Sequence, residues 1–262
     1  MAELIATDPI VNCFVAGRIS AAGLAPRRLG AEVWGYGGSV LEAACYAGAN
    51  LVPVGSSPVA LRAFAERASR QGRRCSSIVG TRSAVGPLWE LLRSHWGPAR
   101  AIRSRQPLLV TTAEPPVQPD GAVRPVHPSE LDILLPACVA MFTEEIGVSP
   151  TGADGGVGYR RRVGDLVRQG RVLARIEHGE VVYKAEIGAV GDRTCQIQGV
   201  WVSPAQRGRG LGTAGTAAVV SHALRDIAPS VSLYVNDFNA SARAAYRRCG
   251  FREVGVFSTV LF

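Results

Sequence analysis

A chain of 262 residues, 47% hydrophobic and 19% charged, can bury one large core or two smaller ones, which excludes a disordered or fibrous protein. The net charge of +8 comes from basic residues spread along the chain, all of them arginine except Lys184; it suits a small anionic ligand and does not call for a nucleic acid. Cysteines 13, 45, 75, 138, 195 and 249 form no Cys-x-x-Cys pair and no metal-like cluster with the four histidines, and no signal-like or membrane-length apolar run is present, so the expectation is a cytoplasmic protein with no metal and no membrane partner.

Residues 1–112 read as one unit. Strands are expected at Glu32–Tyr36, Val40–Tyr46 and Leu51–Val54, separated by Gly or Asn turns. Ser57-Pro58 then has the form of a helix start, a cap followed by proline, and Leu61, Phe64, Ala65 and Ala68 make one apolar face. A strand at Cys75–Val79, a helix at Leu88–Ser94 and an extended segment at Ala101–Val110 complete the unit.

Residues 113–120, AEPPVQPD, carry three prolines and no apolar period, which predicts a linker and a second domain at 121–262. That domain opens on a short strand at Val123–Val126. A helix starting as a capping box at Ser129 follows, with Leu131, Leu134, Leu135, Cys138 and Phe142 at helical spacing around Pro136. A long Gly-rich loop is expected from Gly147 to Gly158, then a helix marked by Tyr159, Val163, Leu166 and Val167. Arg171–Glu177 and Glu180–Val190 form a hairpin about His178-Gly179.

The next stretch, QIQGVWVSPAQRGRGLGT at 196–213, is a strand, a break at Ser203-Pro204, and an Arg- and Gly-dense loop opening into a helix at Leu211. Gly208, Gly210 and Gly212 leave backbone N–H groups free to turn inward at a helix N-terminus, a setting that favours phosphate oxygens, with Arg207 and Arg209 adding charge at the rim. No Gly-Lys-Ser/Thr follows, which excludes a Walker loop, and the loop holds no Gly-x-Gly-x-x-Gly. A strand at Val231–Val235 comes next, then a helix capped by Asn239 with inner face Ala242, Ala245, Tyr246 and Cys249, ended by Gly250; Phe251–Phe262 supplies one or two last strands.

Arg207-x-x-Gly210-x-Gly212, preceded by Val200-x-Val202-x-Pro204, resembles the acyl-CoA pyrophosphate loop of the GNAT acyltransferase superfamily, and the run Tyr234–Phe251 resembles that family's C-terminal motif. The resemblance covers about 121–262. It implies an α/β (α+β) GNAT fold, a mixed central sheet flanked by helices, and an acetyl-CoA-dependent N-acetyltransferase acting on a primary amine of a small molecule, peptide or protein. Val200, Trp201, Val202, Arg207, Gly208, Arg209, Gly210, Leu211, Gly212, Thr213 and Asn239 would then bind the cofactor, with the Val202 N–H donating to the thioester oxygen from a strand that splays or bulges. Tyr246, which on periodicity alone is a core residue, becomes by the resemblance the acid that protonates the departing thiolate. The base departs from the pattern: Gln196 and Gln198 stand where many relatives carry Glu, leaving Glu186 on the preceding strand, then Glu144 and Glu145, or a water relay.

Leu51–Val110 repeats the element order of Val200–Phe262, so the chain reads as a tandem of two GNAT-like lobes. The first has Gly55-Ser56-Ser57-Pro58 in place of the phosphate loop and resembles the extra domain of some actinobacterial relatives. Two other functions fit: a tandem synthase of mycothiol type, and a non-catalytic acyl-CoA sensor.

Overall fold

The computed structural model describes residues 1–152 and 155–262, so positions 153 and 154 of the expected Gly-rich loop lie outside the described residues. The first 31 residues, for which the sequence raised no expectation, hold three helices: α1 (Ala2–Ala6), α2 (Cys13–Ala22) and α3 (Pro26–Leu29). After them come β1 (Glu32–Gly37), β2 (Leu41–Ala47), β3 (Asn50–Val54), α4 (Pro58–Gln71), β4 (Ser77–Thr81), α5 (Arg82–Trp96) and β5 (Ala101–Thr111). The rest of the chain gives β6 (Arg124–Pro125), α6 (Leu131–Ile146), α7 (Val157–Arg168), β7 (Val172–Glu177), β8 (Glu180–Val190), β9 (Cys195–Val202), α8 (Leu211–Asp226), β10 (Val231–Tyr234), α9 (Ala240–Arg248) and β11 (Arg252–Leu261).

Two caps differ from expectation. Ser57 stands at the N-cap of α4 but its side chain makes no cap bond. The capping box before α6 begins at His127, not Ser129: Glu130 accepts from the His127 N–H at 2.8 Å while His127 Nδ1 accepts from the Ser129 N–H at 3.3 Å, across a 3₁₀ turn at Pro128–Glu130. Helix α5 also starts six residues before the expected Leu88 and runs through Pro87.

Among the described residues eleven strands form one mixed sheet in the order β1-β2-β3-β4-β11-β5-β10-β9-β8-β7-β6. Apart from the short edge strand β6, the order is symmetric about the β11–β5 seam. On either side lies an antiparallel partner (β4 to β11, β10 to β5), then a parallel pair (β3 with β4, β9 with β10), then an antiparallel meander. The last strand of each half therefore sits beside the other half: β5 pairs with β10, and β11 pairs with β4. The tandem is real at the level of topology, but its lobes share a sheet by exchanging strands, so the Pro-rich segment at 113–120 links them without separating their hydrogen bonding.

Period-2 alternation assigns the core faces. In the second half Tyr183, Ala185 and Ile187 of β8 point to the layer containing α8 and α9, together with Val219, Val220 and Tyr246. Ala174 and Val181 face α6 and α7 with Leu134, Cys138 and Val163. In the first half Cys45, Leu51 and Ile78 pack under α4 and α5, while Ala44, Tyr46 and Val52 pack under α1–α3. Helix α2 also reaches the second half: a Cβ at Gly17 would lie 2.7 Å from the Val190 carbonyl oxygen, so glycine there is what permits the approach.

Candidate active site

The site begins where two parallel strands part. β9 and β10 pair only at Cys195↔Val231 and Gln196↔Ser232; beyond those residues β10 stays with β5 and β9 with β8. Register along β8 passes from Glu186↔Gln198 to Lys184↔Trp201, so β9 carries one extra residue at Gly199–Val200, a β-bulge. Gly199 has φ +59°, and a Cβ on it would lie 3.2 Å from the Glu186 carboxyl carbon and 3.1 Å from Met141 Cε. Past the bulge the Ser203 N–H donates to Val182 O at 3.0 Å, and the Val202 carbonyl accepts from Arg207 Nε at 3.0 Å. Because successive strand residues face opposite edges and the Ser203 N–H is bonded to β8, the N–H of Val202 points away from β8, into the opening left by β10. An ordinary paired strand at this position is excluded.

The loop after β9 delivers the helix end. A 3₁₀ turn at Pro204–Gln206 leads into Gly208 (φ +77°) and Gly210 (φ +84°), left-handed positions that explain both glycines. Gly210 is the N-cap of α8 and offers no side chain, so the Leu211 and Gly212 amides at the head of the helix are left for a ligand. The helix itself is seated by Gly215, where a Cβ would stand 2.7 Å from three carbons of the Tyr183 ring.

Between this helix end, β9 and α9 runs a cleft of about 500 Å3. Val200, Trp201, Val202, Arg207, Gly208, Gly210, Leu211, Gly212, Thr213, Asn239 and Tyr246 all line it, so the structure brings these sequence-predicted residues together. Arg209 is the exception; it is exposed, does not line the cleft, and donates to Gln206 Oε1 at 3.0 Å. Asn239 caps α9 through its Oδ1, which accepts from the Ala242 N–H at 3.1 Å and the Ser241 hydroxyl at 3.0 Å, leaving its amide NH2 as the group that can meet a ligand. Tyr246 is buried, and that burial, reinforced by the nearby Glu145 and Cys249, raises its phenol above the ordinary range, so it is a proton donor at neutral pH.

A second cleft, of about 280 Å3, continues through the splay toward the α6 side. Glu144, Val200, Asn239 and Tyr246 line both and mark where they meet. Glu144 and Glu145 stand in the last turn of α6, an end where the helix dipole disfavours carboxylates. Cations hold them there: Arg207 on Glu144 at 2.6 Å, Arg103 on Glu145 at 3.3 Å, with Arg100 and Arg103 also donating to the last carbonyls of α6. Arg100, Arg103 and the cleft-lining Gln106 belong to β5 or its approach, so the exchanged strand builds part of the site.

Glu186, the base the sequence suggested, is placed by the structure outside both clefts. Its side chain is 3% exposed, lines neither cleft, and is sealed by Lys184 Nζ at 2.5 Å and Gln198 Nε2 at 3.0 Å. Burial opposes its charge, but the positive fields of Lys184 and Arg162 and the two bonds outweigh it and hold the carboxyl below the usual range, where it is a weak proton acceptor. The readable signal was Lys184, two residues away on the same strand face. Glu144, which the sequence reading placed behind Glu186, lines both clefts at their junction.

The first lobe repeats the two-residue parallel pairing, Asn50↔Ser77 and Leu51↔Ile78 between β3 and β4, but differs at its helix end: Pro58 at the start of α4 removes one N–H, and Gly80 of β4 stays in contact range of Pro53 of β3, 3.6 Å from its carbonyl to a built Cβ. Its cavity, about 410 Å3, lies at the opposite end of β3, between Trp34 and Trp96.

Residues 154–251 match the acetyltransferase (GNAT) family model, and residues 31–134 match a separate domain of unknown function (DUF4081). Among solved structures, an acetyltransferase from the GNAT family of Colwellia psychrerythraea superposes with a TM-score of 0.56 at 13% identity, over 100% of this chain and 97% of that one. A GCN5-related N-acetyltransferase from Kribbella flavida gives 0.56 at 17% over 95% of each chain, and a GCN5-related N-acetyltransferase-like protein from Streptococcus suis gives 0.51 at 13% over 100% of each. At these identities the likeness establishes the fold, and it extends over both lobes.

Proposed function

We propose that the second lobe, a GNAT acetyltransferase lobe by family match and by fold, moves an acetyl group from acetyl-CoA to a primary amine by direct transfer between two bound substrates. What carries the reading is the continuity of one cleft from the head of α8, along the bulged edge of β9, to Tyr246, with a second cleft meeting it there.

The residues fit the cofactor. Leu211 and Gly212 amides, with Gly208 and Gly210 letting the backbone approach, would take the diphosphate, and the bulged edge at Val200–Val202 would pair with pantetheine amides as an added strand does. Coenzyme A supplies an acetyl thioester, an activated acyl group with a thiolate leaving group. The Val202 N–H faces the opening and donates to the thioester oxygen as charge builds on it. Tyr246 donates its proton to the departing sulfur, and Asn239 holds the start of α9, which sets the position of Tyr246 two turns along.

Tyr246→Phe tests this reading against that of an acyl-CoA sensor. An enzyme loses turnover by a factor of about 100–10,000, the range of a general acid, while acetyl-CoA affinity stays within two-fold or so, since the phenol is not asked to hold the cofactor. Absence of CoA release from the wild-type chain with every amine tried, despite tight acetyl-CoA binding, would favour the sensor. Six free cysteines, five of them buried, support a reducing cytoplasm as its compartment, and no described helix is long and apolar enough to cross a membrane.

A further inference from the structure

The arginine that opens the Arg-x-x-Gly-x-Gly run is already engaged. Arg207 Nη2 donates to Glu144 Oε2 at 2.6 Å and its Nε to the Val202 carbonyl at 3.0 Å, while the other Glu144 oxygen accepts from Trp201 Nε1 at 3.1 Å. One carboxylate on α6 thus ties the phosphate loop to the bulged strand, at the junction of the two clefts. Both partners of the ion pair are nearly half exposed (48% and 44%), so the pair is weak. A diphosphate with two charges, lying over the neighbouring amides, is a better partner for that guanidinium than a single carboxylate.

Taking Arg207 away leaves Glu144 with the Trp201 indole and no countercharge, facing the second cleft. Among the described residues that cleft is lined by Glu144 and Glu145 but by no arginine, lysine or histidine; its other walls are amides and apolar groups such as Met141, Tyr234 and the outward-facing Phe238. Glu145 keeps Arg103. A cation fits there, and a carboxylate beside it would meet only negative charge.

Resting on the function proposed above, we propose that Arg207 and Glu144 form a handover. Diphosphate binding draws Arg207 off Glu144, and the freed carboxylate anchors the ammonium of the acceptor and takes its proton. The acceptor is an amine on an apolar body with no carboxylate next to the nitrogen. Protons balance: the ammonium gives one to Glu144, the neutral nitrogen forms the C–N bond as the C–S bond breaks, and Tyr246 protonates the sulfur. The second nitrogen proton leaves to water and both side chains re-equilibrate with solvent, so one proton is released per acetyl transferred.

Calorimetric titration tests the two halves separately. With the full chain, Glu144→Gln should bind coenzyme A about two- to five-fold more tightly than wild type, the size of effect expected for releasing an exposed ion pair, whatever the acceptor is. In the wild type, phenethylamine should bind at least about ten-fold more tightly in the presence of coenzyme A, phenylalanine should not gain, and E144Q should abolish the coupling. Weaker coenzyme A binding by E144Q, equal amine affinity with and without coenzyme A, or equal coupling for phenylalanine would each overturn the handover while leaving cofactor binding intact. If neither form bound coenzyme A, the underlying assignment of the cleft would fall instead.

Discussion

Gly215→Ala sets two effects of opposite sign against each other. In an exposed helix the change would stabilise the protein by about 1 kcal/mol, because alanine is the better helix former. Here the new methyl would stand 2.7 Å from Tyr183 Cδ2, Cε2 and Cζ, where ordinary contact begins at 3.4 Å, so α8 must lift by roughly 0.7 Å or the ring must move. The ring is fully buried on β8 under α8, with its hydroxyl 3.4 Å from Thr216 Oγ1, so it has no free direction. Overpacking of this kind costs about 1–3 kcal/mol, so the net change is a loss of about 0–2 kcal/mol, or a Tm lower by up to about 8 °C. Binding should suffer more than stability. Lifting the helix carries the Leu211 and Gly212 amides away from the diphosphate by a distance that takes a 2.9 Å bond beyond the usual range, and acetyl-CoA affinity should drop about ten-fold or more. Thermal unfolding and calorimetric titration of G215A, beside the double variant Gly215→Ala/Tyr183→Leu, measure both. A single variant more stable than wild type and unchanged in affinity would refute the close seating of α8 on β8, as would a double variant that recovers nothing.

Other residues give equally definite expectations. Lys184→Met leaves the Glu186 carboxylate buried without its cation and should cost about 3–5 kcal/mol, whereas Lys184→Met with Glu186→Leu should recover most of that loss; urea unfolding measures both. Gly199→Ala puts a methyl in a left-handed position 3.2 Å from the Glu186 carboxyl and 3.1 Å from Met141, so kcat/KM should fall more than stability, by about ten-fold or more as the bulge shifts. Glu130 is held down to about 2 by its bonds from Arg124, opposed in part by burial and aided by the His127 N–H. A depressed carboxyl stabilises the fold above its unfolded value and stops doing so as pH falls through the folded one. Glu130→Gln should therefore unfold more easily than wild type at neutral pH, with the gap closing as pH falls from about 4.5 to 2.

Local chemistry made much of this protein legible in its sequence. His178-Gly179 closes the β7–β8 hairpin with φ values of +51° and +79°, as a two-residue turn requires. Asn239 caps α9, and the Gly-rich loop after β9 opens directly into α8, both from patterns a few residues long. Features set by distant partners were not legible. Helix α2 owes its place to contacts with the end of β8 and the turn after it, including Gly17 against Val190 and Cys13 Sγ on the Thr194 carbonyl at 3.4 Å, which no local periodicity announces. The exchange of β5 and β11 is a pairing choice between residues far apart in the chain, such as Val231 with Thr111 and Leu261 with Ser77, and either strand would read the same in its own lobe. The proposed acid and base divide along the same line. The place of Tyr246 on α9 follows from helical spacing after Asn239 and its proposed role from the family resemblance, whereas Glu144 acquires its position only when the end of α6 is held over the splay by arginines from β5 and its approach and from the phosphate loop.

The most direct measurement compares acetyl-CoA with acetyl-pantetheine, which keeps the thioester and the amide arm but lacks the diphosphate and adenosine, by calorimetric titration of the wild-type chain. If the free amides of α8 hold the diphosphate and the bulged edge of β9 guides the thioester, acetyl-CoA binds and acetyl-pantetheine is weaker by about a hundred-fold or more, as loss of two charge-assisted hydrogen bonds predicts. Equal affinities, or no binding of acetyl-CoA at all, would contradict the account.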